Sequence, residues 1–149
     1  INPHNLKLEI TEGSVIEKPD VTVLALKHLQ ALGVQVSLDD FGTGYSSLSY
    51  LHHFPIHVLK VDRSFVMEMD KRDENMAIIS TIKTLAESLN MEVVAEGIEE
   101  NHQRQTLKNM GFEYGQGFYF AKPMPANEIT RMLKWTIANG DALKLVLGD

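Results

Sequence analysis

The 149 residues carry a net charge of −6, a hydrophobic share of 44% and a charged share of 23%, the make-up of a soluble globular protein long enough for one domain with a substantial core. That charge argues against a broad non-specific contact with nucleic acid polymers or anionic lipid. The lack of cysteine removes disulfide and thiolate chemistry, and no apolar run reaches membrane-spanning length and no secretory signal opens the chain.

In chain order, Leu6-Lys7-Leu8-Glu9-Ile10 alternates apolar and polar residues and predicts a strand ending in Thr11-Glu12-Gly13. Helical spacing of Val21, Leu24, Ala25, His28 and Leu29 after Pro19 and Asp20 predicts a helix stopped by Gly33. The next strand is expected over 34–38, closing in Asp39-Asp40 and the glycine-bearing loop Phe41-Gly42-Thr43-Gly44-Tyr45. Ser46 or Ser47 can cap a short helix through Leu48 and Leu51, broken before Pro55. A strand over 56–61 carries Lys60 and leads to Asp62, and Ile78, Ile79, Ile82, Leu85, Ala86 and Leu89 make one stripe of a helix over 75–89. Then come a strand over 92–95 ending in Glu96-Gly97-Ile98-Glu99, and a helix over 101–110 stopped by Gly111. The aromatic run Phe118-Tyr119-Phe120 is expected as a short strand and 126–139 as the final helix. Residues 140–149 have only a weak apolar pattern.

Strands alternating with helices predict a parallel sheet with helical crossovers. Polar residues gather after successive strand ends: Glu9 and Glu12, Asp39 and Asp40, Lys60 and Asp62, Glu96 and Glu99, and Gln116. Each alone reads as a cap or a solvated side chain, but in parallel α/β folds that edge holds the site. Neighbouring strand side chains point to opposite faces. For Asp39 and Asp40 to serve one site, the strand must bend at Asp40, or each must hold a different ion.

Converging carboxylates repel unless cations neutralise them. Glu9, Asp39, Asp40 and Glu96 are the natural ligands, with Asp39 placed to bridge two ions. Without cysteine or a strand-end histidine, hard cations such as Mg²⁺ or Mn²⁺ fit better than zinc. Two such ions suit in-line phosphoryl displacement. Lys60 would hold the attacking water or offset transition-state charge, or else simply pair with a neighbouring acid. The six histidines show no metal-ligand spacing, the scattered methionines read as core filling, and Trp135, at the spacing of Ile129, Met132 and Leu133, reads as a packing residue.

Leu8-Glu9-Ile10-Thr11-Glu12, the run from Asp39 to Leu48, Lys60-Val61-Asp62-Arg63-Ser64-Phe65, Ala95-Glu96-Gly97-Ile98-Glu99 and Gln116-Gly117 resemble the EAL domain, the family of bacterial cyclic di-GMP phosphodiesterases. The resemblance runs from Leu6 to about Leu133. It implies a modified TIM barrel, hydrolysis of cyclic di-GMP to linear pGpG, and two Mg²⁺ or Mn²⁺ ions per complete site. By resemblance, Glu9 binds the first metal, Asp39 binds both, Asp40 and Glu96 bind the second, and Lys60 holds the nucleophilic water. Glu12 resembles the acid that pins the loop after Asp40, Gln116 a residue of the metal-water shell, and Asp62 and Glu99 supporting residues. His57 stands where the family often has an acid.

The Glu-Ala-Leu signature is absent from the sequence, as is the family's next-strand asparagine. Some five strand-and-helix units stand where a (β/α)₈ barrel needs eight and roughly 250 residues. The chain, which begins with Ile1, therefore reads as a partial TIM-type α/β barrel, the C-terminal part of a single EAL domain spanning 1–149. The expectations are a cytoplasmic domain, a parent protein carrying an upstream sensory or GGDEF domain and anchored through upstream segments, and a fragment inactive alone. A non-catalytic module that binds cyclic di-GMP is the alternative. Unpaired edges at 6–10 and 118–120, with an apolar inner face formed by Leu8, Ile10, Val36, Leu38, Val58 and Val93, predict self-association as a homodimer.

Overall fold

Five parallel strands, β1 (Lys7–Thr11), β2 (Gln35–Phe41), β3 (Val58–Val61), β4 (Glu92–Ala95) and β5 (Tyr114–Gly115), pair in their order along the chain. The computed structural model describes residues 2–16, 19–44 and 51–138. Among the described residues, six α-helices accompany the strands: α1 (Glu12–Ile16), α2 (Pro19–Ala31), α3 (Arg63–Met67), α4 (Asp73–Ser88), α5 (Asn101–Asn109) and α6 (Ala126–Ala138). A parallel neighbour cannot be reached by a tight hairpin, so the chain returns through crossovers such as α2, α4 and α5. The result is the α/β wall expected of a partial barrel. The serine-capped helix expected around Ser46, Ser47 and Leu48 and the tail 140–149 lie outside the described residues.

The pleat gives this wall two unlike faces. Val36, Leu38, Leu59, Val61, Val93 and Ala95 are buried in one apolar cluster with Leu26 of α2, Ile79, Ile82 and Ala86 of α4, and Leu107 of α5. The registers Leu8↔Val36 and Ile10↔Leu38 put Leu8 and Ile10 on that helix-covered face as well. The intervening positions, Glu9, Ser37, Asp39, Val58 and Lys60, belong to the opposite face. The expected apolar inner face is therefore corrected. Of the six residues assigned to it only Val58 is there, and the open face of the sheet is largely polar.

Helix α4 begins two residues before its expected start, with Asp73 and Glu74 in the first turn, where negative charge complements the exposed N–H groups. In α5, Gln103 Oε1 accepts from the backbone N–H of Glu99 and of Glu100, at 2.8 and 3.0 Å, while its Nε2 donates to Val66 O of α3 at 3.3 Å. One buried amide thus starts α5 and fastens it to the helix after β3.

The last strand is corrected from 118–120 to Tyr114–Gly115. Gln116 N donates to Ala95 O at 2.8 Å and Ile98 N to Gln116 O at 3.1 Å, after which Phe120 N turns back to Gly117 O at 3.1 Å. Aromatic β-propensity suggested the later position, yet Phe118 and Tyr119 are 54% and 39% exposed on a turn. Trp135 is also corrected from packing residue to surface residue, at 63% exposure. The unpaired sheet edges are β1 and β5 among the described residues.

Candidate metal centre

Strand β2 solves the problem posed by its two adjacent aspartates with a register shift. The β2–β3 pairing is regular at Leu38↔Leu59 and resumes, shifted, at Phe41↔Val61, while Asp40 takes the left-handed conformation at φ 54°. A bulge of this kind re-aims side chains locally, and aspartate tolerates left-handed backbone better than most residues. Thr43 Oγ1 donates to Asp40 O at 2.9 Å, and Asp40 N donates to Asp39 Oδ1 at 3.0 Å. Thr43 joins the expected site residues through its bond to Asp40, and an aspartate followed three positions later by threonine is its local turn signal. The strand therefore bends at Asp40, and Asp39, Asp40 and Glu96 each offer a carboxylate oxygen within 4.8 Å of the others.

Lys60 projects from β3 into the same space. Its Nζ lies 2.8 Å from Glu9 Oε1, 3.1 Å from Asp39 Oδ1 and 2.6 Å from Glu96 Oε1. Its side chain is 7% exposed, against 51% for Glu9, 22% for Asp39 and 15% for Glu96. Four strands thus deliver four charged groups to one point, so the pairing foreseen for Lys60 is with three acids at once.

The electrostatics follow from burial and crowding. Burial alone would lower the Lys60 pKa, but hydrogen bonds to Glu9 and Glu96 and the charge of Glu96 overcome it and raise the ammonium well above its ordinary value. Burial raises Glu96, with Asp39 and Glu9 adding repulsion, and Lys60 offsets only part of this. Asp40 is raised by desolvation and then by the charges of Asp39 and Asp62. A divalent cation beside Asp39, Asp40 and Glu96 would relieve that crowding, and an all-oxygen donor set without histidine or cysteine suits Mg²⁺ or Mn²⁺.

The other expected site residues occupy varied places. Glu12 is buried at 5% exposure and accepts from Gly42 N at 3.3 Å, tying α1 to the loop after Asp40. Asp62 accepts from Ser64 N at 2.9 Å, capping α3, and its charge reaches Asp40. Glu99 is exposed and gives its backbone N–H to Gln103. Gln116 lines a cavity of about 280 Å³ with Val94, Tyr114 and Phe120. Neither Glu99 nor Gln116 belongs to the carboxylate cluster. Gly97, at φ 73°, turns the chain immediately after Glu96, and Arg63 lies so close that a Cβ there would sit 2.5 Å from Arg63 Cβ. The histidines stand apart from the acids of the site: His57 Nδ1 accepts from Val36 N at 3.4 Å, and His102 pairs with Asp70 and Glu100.

The fold has counterparts among known proteins. The model of the EAL domain family matches residues 1–123. The bifunctional diguanylate cyclase/cyclic di-GMP phosphodiesterase MucR of Pseudomonas aeruginosa is 42% identical over 87% of this chain and 19% of its own length. The solved MucR phosphodiesterase complex with c-di-GMP superposes with a TM-score of 0.84 at 42% identity, over 87% of this chain and 52% of that one. The manganese/cyclic di-GMP complex of Klebsiella pneumoniae BlrP1 gives a TM-score of 0.77 at 35% identity, over 83% of this chain and 31% of that one. The chain thus spans about half of the MucR domain structure and a fifth of the curated MucR protein.

Proposed function

The chain belongs to the EAL domain family, and from that membership we propose that it supplies part of the active site of a metal-dependent phosphodiesterase that hydrolyses cyclic di-GMP to linear pGpG. The observation that carries the reading is the convergence of Asp39, Asp40 and Glu96 oxygens within 4.8 Å beside the buried Lys60. Asp39, Asp40 and Glu96 would hold one cation, and Glu9 with Asp39 would contribute to a second. Two Mg²⁺ or Mn²⁺ ions there supply Lewis acidity and a more acidic water for in-line displacement at phosphorus.

The chain's own groups set the stage for that displacement. The Lys60 ammonium holds the attacking water and offsets charge as the water oxygen bonds to phosphorus and the ribose 3′ oxygen leaves with a proton. Glu12, by accepting from Gly42 N, keeps the loop after Asp40 from drifting and so fixes where Asp39 and Asp40 point.

In this account the 149 residues are the C-terminal part of an EAL domain. The remaining strands, the Glu-Ala-Leu signature and the next-strand asparagine come from upstream in a cytoplasmic domain, following a sensory or GGDEF domain. The chain alone is then inactive, and its unpaired β1 and β5 edges favour homodimers, which sedimentation at micromolar concentration reads. The test of function is turnover by the complete domain: Asp39→Ala abolishes Mg²⁺-dependent formation of pGpG. Normal metal-dependent turnover in that variant rules out the assignment.

A second reading is a non-catalytic module that binds cyclic di-GMP, in which Lys60 stays paired with Glu9, Asp39 and Glu96 and no cation is loaded. Calorimetric binding by the complete domain without any pGpG would select it.

A further inference from the structure

Lys60 shares two of its carboxylate partners with the candidate cation site. Its ammonium nitrogen is 2.6 Å from Glu96 Oε1 and 3.1 Å from Asp39 Oδ1, and both residues belong to the trio whose oxygens converge within 4.8 Å. It also reaches Glu9 at 2.8 Å. An ammonium at the focus of three carboxylates has two physical consequences. It neutralises a crowded negative cluster that would otherwise repel itself, and it engages two carboxylates, Asp39 and Glu96, that a divalent cation would also use.

We infer that Lys60 is a built-in competitor of the divalent cation: its ammonium holds the ligands together before loading and must release Glu96 and Asp39 for the ion to enter. This rests on the reading of Asp39, Asp40 and Glu96 as metal ligands. It adds that the same lysine limits metal affinity and couples loading to its own repositioning. The opposite arrangement, in which Lys60 preorganises the ligands for the ion, predicts the reverse effect on affinity, so the two separate by experiment.

The experiment is Mn²⁺ titration of the 149-residue chain by calorimetry, with thermal unfolding in EDTA and in excess Mn²⁺. The variants are Lys60→Met and Lys60→Gln, the amide keeping two N–H donors without the charge. Removing one positive charge adjacent to the ion is expected to tighten Mn²⁺ binding at least about fivefold. It also lowers Tm in EDTA and enlarges the rise in Tm on adding Mn²⁺. A Lys60→Met chain that folds only with Mn²⁺ supports the inference, because the ion then replaces the ammonium. Unchanged or weaker Mn²⁺ binding by Lys60→Gln overturns the inference but leaves the metal centre standing. Failure of the wild-type and both Lys60 variants alike to bind Mn²⁺ overturns both.

Discussion

Replacing Gly117 with alanine tests how rigidly the sheet edge supports the loop that carries Glu96. A Cβ at Gly117 would lie 2.0 Å from Ile98 O, 2.4 Å from Ile98 N and 2.6 Å from Ile98 C, far inside van der Waals contact with backbone that cannot rotate away. Ile98 is fully buried and bonded on both sides, donating to Gln116 O at 3.1 Å and accepting from Tyr119 N at 3.0 Å. Relief therefore means breaking those bonds or moving the segment after β4, two residues beyond Glu96. Overpacking of this severity costs about 2–3 kcal/mol, a fall of roughly 5–10 °C in Tm for a chain of this size. Glu96 moves with the segment, so Mn²⁺ affinity falls as well. Thermal unfolding and calorimetry measure both, with Gly13→Ala as the control: a Cβ there meets nothing within 4 Å, and in helix α1 it is neutral or stabilising. A Gly117→Ala chain as stable as wild type, with unchanged Mn²⁺ affinity, would refute the reasoning.

Three further outcomes follow from the site. Asp40→Ala costs about 1 kcal/mol in urea unfolding because alanine lacks the local hydrogen bonding that eases left-handed backbone, whereas Asp40→Asn, freed of the crowded charge, is at least as stable as wild type at neutral pH in EDTA and still binds Mn²⁺ more weakly. Glu12→Gln, which takes the charge from the acceptor of the Gly42 N–H, destabilises by about 1 kcal/mol and weakens Mn²⁺ binding through the loop. Asp40 has a folded pKa above its ordinary value of 3.8, so the folded chain binds its proton more readily than the unfolded one and that group adds stability as pH falls. On acidification from about pH 7 to about pH 4 in EDTA, through the folded pKa toward the ordinary value of 3.8, the wild type therefore gains stability relative to Asp40→Asn; the reverse trend contradicts the crowding described around Asp40.

Which parts of this were legible in the sequence depended on how local the signal was. Alternation in Lys7–Thr11, the helical stripe of Ile79, Ile82 and Ala86, and Gly111 after α5 are short-range features, and the structure has the elements they predict. The aromatic run after Gly117 misled because β-propensity ignores pairing, and Gln116 had already closed the ladder against Ala95. The identity of the open face was also misjudged. Apolar residues such as Val36 and Leu38 alternate with polar ones on the same strand, and only the position of the helices says which set is covered. For Asp39 and Asp40 the sequence left two arrangements open, a bend or two separate ions, and the bulge at Asp40 supplies the bend. The triple pairing of Lys60 joins residues from four strands, a relation that spacing along the chain cannot encode.

The central claim is that Asp39, Asp40 and Glu96 together form a divalent-cation site. Its most direct measurement is anomalous diffraction from crystals of this chain soaked in Mn²⁺. The account predicts a manganese peak in contact with carboxylate oxygens of all three residues, lost on Asp39→Asn. A peak elsewhere, or none at millimolar Mn²⁺, would contradict it.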